Sequence, residues 1–229
     1  MKNNTKGVGV KDREKNSDKI ILDLCGGTGS WSKPYRDAGY DVKIITLPEH
    51  NVLGFDRTQN LLTFWGNKKS GSEDILIGMD DIYGILAAPP CTMFSFARTK
   101  AKKPRDFTEG MEVVKACMNI IWTVREQKKL AFWAVENPMG YLRQFLGAPA
   151  FTFDPSQFHE TYNKTTDLWG YFKAPNRGKK ARYDSTDDNT RELPDIPEEY
   201  KRDYHMSSLQ IKRSITPEGF AKAFFAANK

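Results

Sequence analysis

The stretch Ile20-Ile21-Leu22-Asp23-Leu24-Cys25-Gly26-Gly27-Thr28-Gly29-Ser30 decides the fold. Five residues, apolar but for Asp23, run straight into a glycine turn, and an apolar-polar mixture follows. This reads as a buried strand, a tight turn, and a helix over about 30–38. Working outward, 41–47 is rich in β-branched residues and predicts a second strand, and 74–77 a short third. The continuous apolar run 82–88 predicts a buried strand ending at Pro89-Pro90-Cys91. Over 109–127, Val113, Ala116, Cys117, Ile120, Ile121 and Val124 recur at spacings of three and four, which predicts a helix. Another buried strand is expected over 130–135, ending at Glu136-Asn137-Pro138, and a late one over 169–172. Pro217 opens a closing apolar helix to 227. Strands alternating with helices imply an α/β fold, a mostly parallel sheet with helices on both faces.

The chain has 229 residues, enough for one domain with a real core. Residues 1–18 read as a charged flexible tail without the apolar segment of a signal peptide, and 19–229 as a single domain. No apolar run approaches the roughly 18 residues of a membrane span, so a membrane protein is not expected. Three cysteines, Cys25, Cys91 and Cys117, are too few and scattered for a disulfide framework or zinc site. A reducing, cytoplasmic setting is the expectation. Lys plus Arg number 35 against 29 Asp plus Glu, a net charge of +6, which permits a polyanionic partner.

Three features fall where strands should end, and ligands of open α/β sheets bind there. The first is the glycine turn. Gly27 and Gly29 allow close backbone approach, and a helix start behind them would favour an anion. The spacing fits a nucleoside-containing cofactor; it lacks the third glycine of a dinucleotide site and the Gly-Lys of a P-loop. A plain strand-to-helix turn is the alternative. The second is Cys91, a candidate nucleophile held by two prolines. Arg98, Lys100, Lys102, Lys103 and Arg105 follow it, five cations in eight residues that could grip phosphates and help hold Cys91 as thiolate. A solvated basic loop is the bland alternative. Cys25 and Cys117 read as small core residues. The third is Glu136, a carboxylate closing an apolar strand and costly there without a partner. Capping of a following helix is its alternative role.

Asp23-Leu24-Cys25-Gly26-Gly27-Thr28-Gly29, Pro90-Cys91-Thr92-Met93-Phe94-Ser95 and Glu136-Asn137-Pro138, in this order, resemble the DNA cytosine-5 methyltransferases, S-adenosylmethionine-dependent enzymes of the class I methyltransferase fold (Rossmann-like). The resemblance implies that Cys91 attacks carbon 6 of cytosine, that Glu136 engages ring nitrogen 3, and that carbon 5 takes the methyl group. A base inside a duplex must first be flipped out or be single-stranded. It implies cofactor contacts from Asp23, Leu24, Cys25, Gly27, Gly29, Ser30, Trp31, Asp74, Ile75 and Pro89, and a DNA-closing loop over 96–107.

The sequence departs from the family pattern in several places. Thr92 stands where Gln is usual, and Pro138 where Val is. Tyr162-Asn163-Lys164-Thr165-Thr166 corresponds to the family's Gln-x-Arg-x-Arg, so Lys164 is the expected cation near the base, without the planar fork of Arg, and Thr166 cannot replace the second cation. Thr46 lies where an acid for the ribose hydroxyls is expected, with Glu49 the nearest carboxylate. The insert over 174–212 is far smaller than the family's target-recognition domain, which implies weak sequence specificity and is similar to compact phage forms. Arg213 and Ser214 fall in place of a Gly-Asn-Ser segment beside the transfer site. An arginine there suits a donor bearing a carboxylate, so carboxy-S-adenosylmethionine and 5-carboxymethylcytosine are an alternative to methyl transfer. Action on free cytosine nucleotides or RNA is another. A monomer is expected, with DNA as partner.

Overall fold

The computed structural model describes residues 15–96, 98, 101–178, 196 and 208–229. Its centre is a six-stranded sheet. In chain order the strands are β1 (Ile20–Leu24), β2 (Asp41–Ile45), β6 (Ile82–Ala87), β7 (Phe132–Pro138), β8 (Phe151–Phe153) and β9 (Thr166–Tyr171), arranged in space as β2-β1-β6-β7-β9-β8. The first four in that order are parallel; β9 runs antiparallel to β7, and β8 antiparallel to β9. A mixed α/β architecture with a mostly parallel sheet is therefore established.

Side chains alternate between the two faces of this sheet, as a pleat requires. Leu22, Leu24, Ile85, Ala87, Trp133 and Val135 meet the long helix α2 (Phe107–Gln127; α1 follows below) through Cys117, Ile120, Ile121 and Val124. Asp106 caps α2, its carboxylate accepting the Glu109 amide at 3.0 Å. On the other face Ile21, Leu86, Phe132 and Ala134 meet Phe220, Ala221 and Phe224 of α5 (Glu218–Asn228) and Tyr35 of α1 (Lys33–Asp37). Two short helices, α3 (Arg143–Leu146) and α4 (Ser208–Ser214), complete the set named here.

Several expectations are corrected. The helix after the glycine turn covers five residues, not 30–38; Pro34 sits in its first turn and Gly39 takes φ +90° behind it. A helix this short offers no real positive end to an anion. The expected third strand exists as β5 (Ile75–Gly78), but outside the parallel sheet: it pairs antiparallel with β4 (Leu61–Gly66), which pairs with β3 (His50–Thr58). β3 and β4 were not foreseen. Strand β7 continues through Glu136, Asn137 and Pro138 instead of stopping before them, because β9 pairs with all three. The N-terminal tail lies outside the described residues up to position 14, but Asn16 is already tied in, its amide donating to the Ala38 carbonyl at 3.1 Å. Among the described residues no helix is long and apolar enough to cross a membrane.

Candidate functional site

The glycine turn closes over a buried acid. Asp23 has no exposed surface; one carboxylate oxygen accepts the Ser32 hydroxyl at 2.5 Å and the other has no partner. Burial pushes its carboxyl up to about 6, against the opposing pull of the Ser32 hydrogen bond and the Arg36 charge. Gly26 is required above it: a Cβ there would lie 2.4 Å from the Asp23 carboxyl carbon. Gly27, at φ +51°, has open space over its Cα, and its amide donates to the Thr46 hydroxyl at 3.3 Å. Thr46 thus belongs to the rim of the turn. Gly29, at φ +65°, lies against the Ile44 side chain, and the hydroxyls of Thr28 and Ser30 touch beside it.

The other residues expected at the cofactor have these surroundings. Leu24 is wholly buried in the core. The Cys25 thiol turns to Cys117, 4.0 Å away, on the α2 side. Trp31 is buried against Phe220 and Phe224, and its indole N–H has no partner. Asp74, just before β5, accepts the Gly66 amide at 2.8 Å, and Ile75, the first residue of β5, packs on the core. Arg213 is exposed near the end of α4, where the Ser214 hydroxyl donates to the Ile211 carbonyl at 2.7 Å.

The second and third features meet. Pro89 follows β6 and is buried; its carbonyl accepts the Asn137 amide of β7 at 2.9 Å, which locks the two segments together. The Cys91 carbonyl accepts the Phe94 and Ser95 amides, so the chain folds back at once behind the thiol. Lys164 lies just before β9, and antiparallel pairing with β7 brings its ammonium to 3.9 Å from the Glu136 carboxylate. Burial pushes the Cys91 thiol up; Lys164 pulls it back down and Glu136 adds to the rise. Burial likewise pushes Glu136 up, opposed by Lys164 and reinforced by Asp167. The three groups therefore share one electrostatic pocket at the carboxyl ends of β6 and β7. Among the described residues the cation that acts on Cys91 is Lys164, and burial outweighs it.

Sequence reasoning missed the frame behind this pocket. Asp167, fully buried on β9, accepts Arg143 Nε at 2.7 Å, the same guanidinium again at 2.6 Å, and the Thr152 hydroxyl at 2.7 Å. An acid beside Leu168 and Trp169 in a buried strand was the one available signal. Of the basic loop, Lys102 and Lys103 are exposed and Arg98 is half-buried. Arg105 turns inward, donating to the Met93 carbonyl at 3.0 Å with its guanidinium 5.0 Å from the Tyr141 ring. Lys100 and most of the insert over 174–212 lie outside the described residues. Compared with known proteins, the chain matches no protein-family model and no curated protein.

Proposed function

We propose that the chain is a DNA cytosine-5 methyltransferase that uses S-adenosylmethionine. The observation that carries this reading is the meeting of Cys91, Glu136 and Lys164 at the carboxyl ends of adjacent parallel strands. A thiol, a carboxyl group of raised pKa and a cation are what addition to a pyrimidine ring needs. The sheet supports the reading too: an antiparallel strand slipped beside β7, with β8 outside it, suits the class I methyltransferase fold.

The donor's residues fit the chain. Gly27 leaves open space, the Asp23 carboxylate keeps an unused oxygen beneath the turn, and Thr46 rims it. Asp23, the 26–29 backbone and Thr46 would hold the cofactor, which supplies a methyl group on a sulfonium. Cys91 gives its proton to solvent water and its sulfur bonds carbon 6. Glu136, in its protonated form, hydrogen-bonds or protonates ring nitrogen 3, so the electron pair of the double bond collects on carbon 5. Lys164 holds Glu136 in place. Carbon 5, made nucleophilic in this way by Cys91 and Glu136, would be the atom that accepts the methyl group a bound donor would supply. Loss of the carbon 5 proton restores the double bond and expels Cys91. The exposed position of Arg213 gives a carboxylate-bearing donor no support over the methyl donor.

The test is nucleoside mass spectrometry of DNA from cells expressing the chain, with Cys91→Ala beside it. The expected product is 5-methylcytosine, lost in Cys91→Ala. A DNA strand carrying 5-fluorocytosine should be trapped on Cys91, since fluorine cannot leave as the proton does. Unmodified DNA together with methylated RNA or free nucleotides would move the substrate class; near-normal product from Cys91→Ala would overturn the mechanism.

A further inference from the structure

Two thiols meet behind the glycine turn. Cys25, the first residue after β1, is half-buried, and Cys117 of α2 is wholly buried. Their sulfurs lie 4.0 Å apart, although the residues are 92 positions apart in the chain. Cys25 takes φ +56°, a left-handed backbone conformation that glycine adopts freely and other residues only at a cost. What that cost places is a sulfur turned toward α2. The remaining cysteine, Cys91, belongs to the pocket with Glu136 and Lys164.

The two sulfurs differ in what holds them. Cys117 sits in the packed core with Ile120, Ile121 and Val124, on a helix of 21 residues. The Cys25 amide is tied to β2, donating to the Ile45 carbonyl at 2.7 Å, but the turn that follows has open space over Gly27. A disulfide sets its sulfurs about 2.0 Å apart, so roughly 2 Å must be closed. A close-packed core yields little, and the turn must supply the movement. The Gly27 amide, which donates to the Thr46 hydroxyl, moves with it, as does the 26–29 backbone over Asp23. Contact with Cys25 and burial push the Cys117 thiol well above its ordinary value, so it stays protonated. Cys25, the more exposed of the two, is the sulfur that a reagent meets first.

We propose that Cys25 and Cys117 form a site of reversible oxidation, at which a hydroperoxide converts the two thiols to a disulfide that ties the glycine turn to α2 and weakens cofactor binding. The effect on binding rests on the reading of the turn as the cofactor site; the bond itself does not. The Cys25 sulfur attacks one oxygen of the hydroperoxide and the O–O bond breaks. The departing oxygen takes the Cys25 proton and leaves as alcohol, or as water from hydrogen peroxide, and Cys25 becomes a sulfenic acid. The Cys117 sulfur then bonds the Cys25 sulfur. The S–O bond breaks, and the hydroxide takes the Cys117 proton and leaves as water. The thiols have lost two electrons to the peroxide, and thiol–disulfide exchange with an external dithiol returns them.

The test treats the reduced full chain with hydrogen peroxide, blocks free thiols, and reads two things: the tryptic peptides by mass spectrometry and S-adenosylmethionine affinity by calorimetry. The expected product joins segment 20–36 to segment 116–125, which carry Cys25 and Cys117. Affinity should fall roughly tenfold or more, the worth of one hydrogen bond lost at the turn, and dithiothreitol should restore it. Cys117→Ala should bind like the reduced wild type and keep its affinity after peroxide. Cys91→Ala should form the bond as the wild type does, which excludes the third thiol from the effect. Should Cys117→Ala fold poorly by circular dichroism, Cys25→Ala must show the same resistance. No joined peptide, a Cys25 oxidised past sulfenic acid, or a bond from either thiol to Cys91 would overturn the site. A joined peptide with unchanged affinity would overturn its effect on the turn. Reduced wild type that bound no S-adenosylmethionine would instead remove the cofactor reading, and with it the effect on binding, while the peptides still decide the bond.

Discussion

Lys164 acts on two acids in the same direction, and that gives the pocket a signed pH response. It pulls both Cys91 and Glu136 down from positions that burial has raised. If the reaction needs Cys91 as thiolate and Glu136 as acid, the rate has a plateau bounded by their two titrations, belonging to the coupled pair. Lys164→Met should move both limbs to higher pH, measured as kcat/KM against pH; a limb that stayed in place would show that its group does not face Lys164. Asp23 gives a second signed test, on stability. Its carboxyl is raised from 3.8 to about 6 in the fold, so the protonated form is favoured there. The stability linked to it is complete below the unfolded value and is lost as pH rises through the folded one. The shift of about two units corresponds to about 3 kcal/mol at neutral pH. Asp23→Asn, which can still accept from Ser32, should therefore melt higher than the wild type at pH 7.5. At pH 5 the gain should be roughly half as large. An equal gain at both values would mean that the charge of Asp23 is not what the fold resists.

At the scale of elements, the Cys91 and Glu136 segments cross at a bridge between Ser95 and Gly140, and the crossing depends on one missing side chain. Gly140→Ala would force the Phe94 carbonyl away and unseat Phe94 from its cluster. A loss of about 1–3 kcal/mol in urea unfolding is expected, with a larger fall in activity than in stability, since both segments shift. Unchanged stability would show that the crossing yields freely. How far such features can be read from sequence varies with their physics. β1, β6 and α2 were legible because burial on both faces leaves unbroken apolar runs and helix packing leaves spacings of three and four. β3 and β4 were not, because Leu53, Leu61 and Trp65 face water beside the buried Val52, Leu62 and Phe64 and blur the alternation. Their connection, with Gln59 at φ +46°, carries no glycine to announce it. The helix after the glycine turn is shorter than the sequence pattern suggests because Ser30 to Ser32 serve the turn, Ser32 through its bond to Asp23. Cys91 and Glu136 stood out as odd residues at strand ends. The clasp of Arg143, Thr152 and Asp167 did not, for it needs three elements whose pairing no local pattern encodes.

Over the whole molecule, the three-stranded sheet is no appendage. Val52, Leu62, Phe64 and Ile77 belong to the same core cluster as Leu22, Ile85 and Val135 of the central sheet and Ile120 and Val124 of α2. A polar link between the two parts is slight by comparison: Arg57 of β3 and Glu126 of α2 sit 3.3 Å apart on the surface, where an ion pair contributes about 1 kcal/mol or less. Shared apolar burial must therefore couple the small sheet to the rest, and unfolding of one should expose the other. Phe64 reports on this, since it is wholly buried and central to the junction. Phe64→Ala should cost about 3–5 kcal/mol. Its urea transition should shift to lower concentration while remaining single, with fluorescence and far-ultraviolet circular dichroism superimposing. Fluorescence samples both parts, because Trp65 lies on the small sheet and Trp31 on the opposite face of the central one. Two separated transitions, or a loss confined to the Trp65 signal, would mean that the small sheet folds on its own account, and that the junction contributes packing without cooperativity.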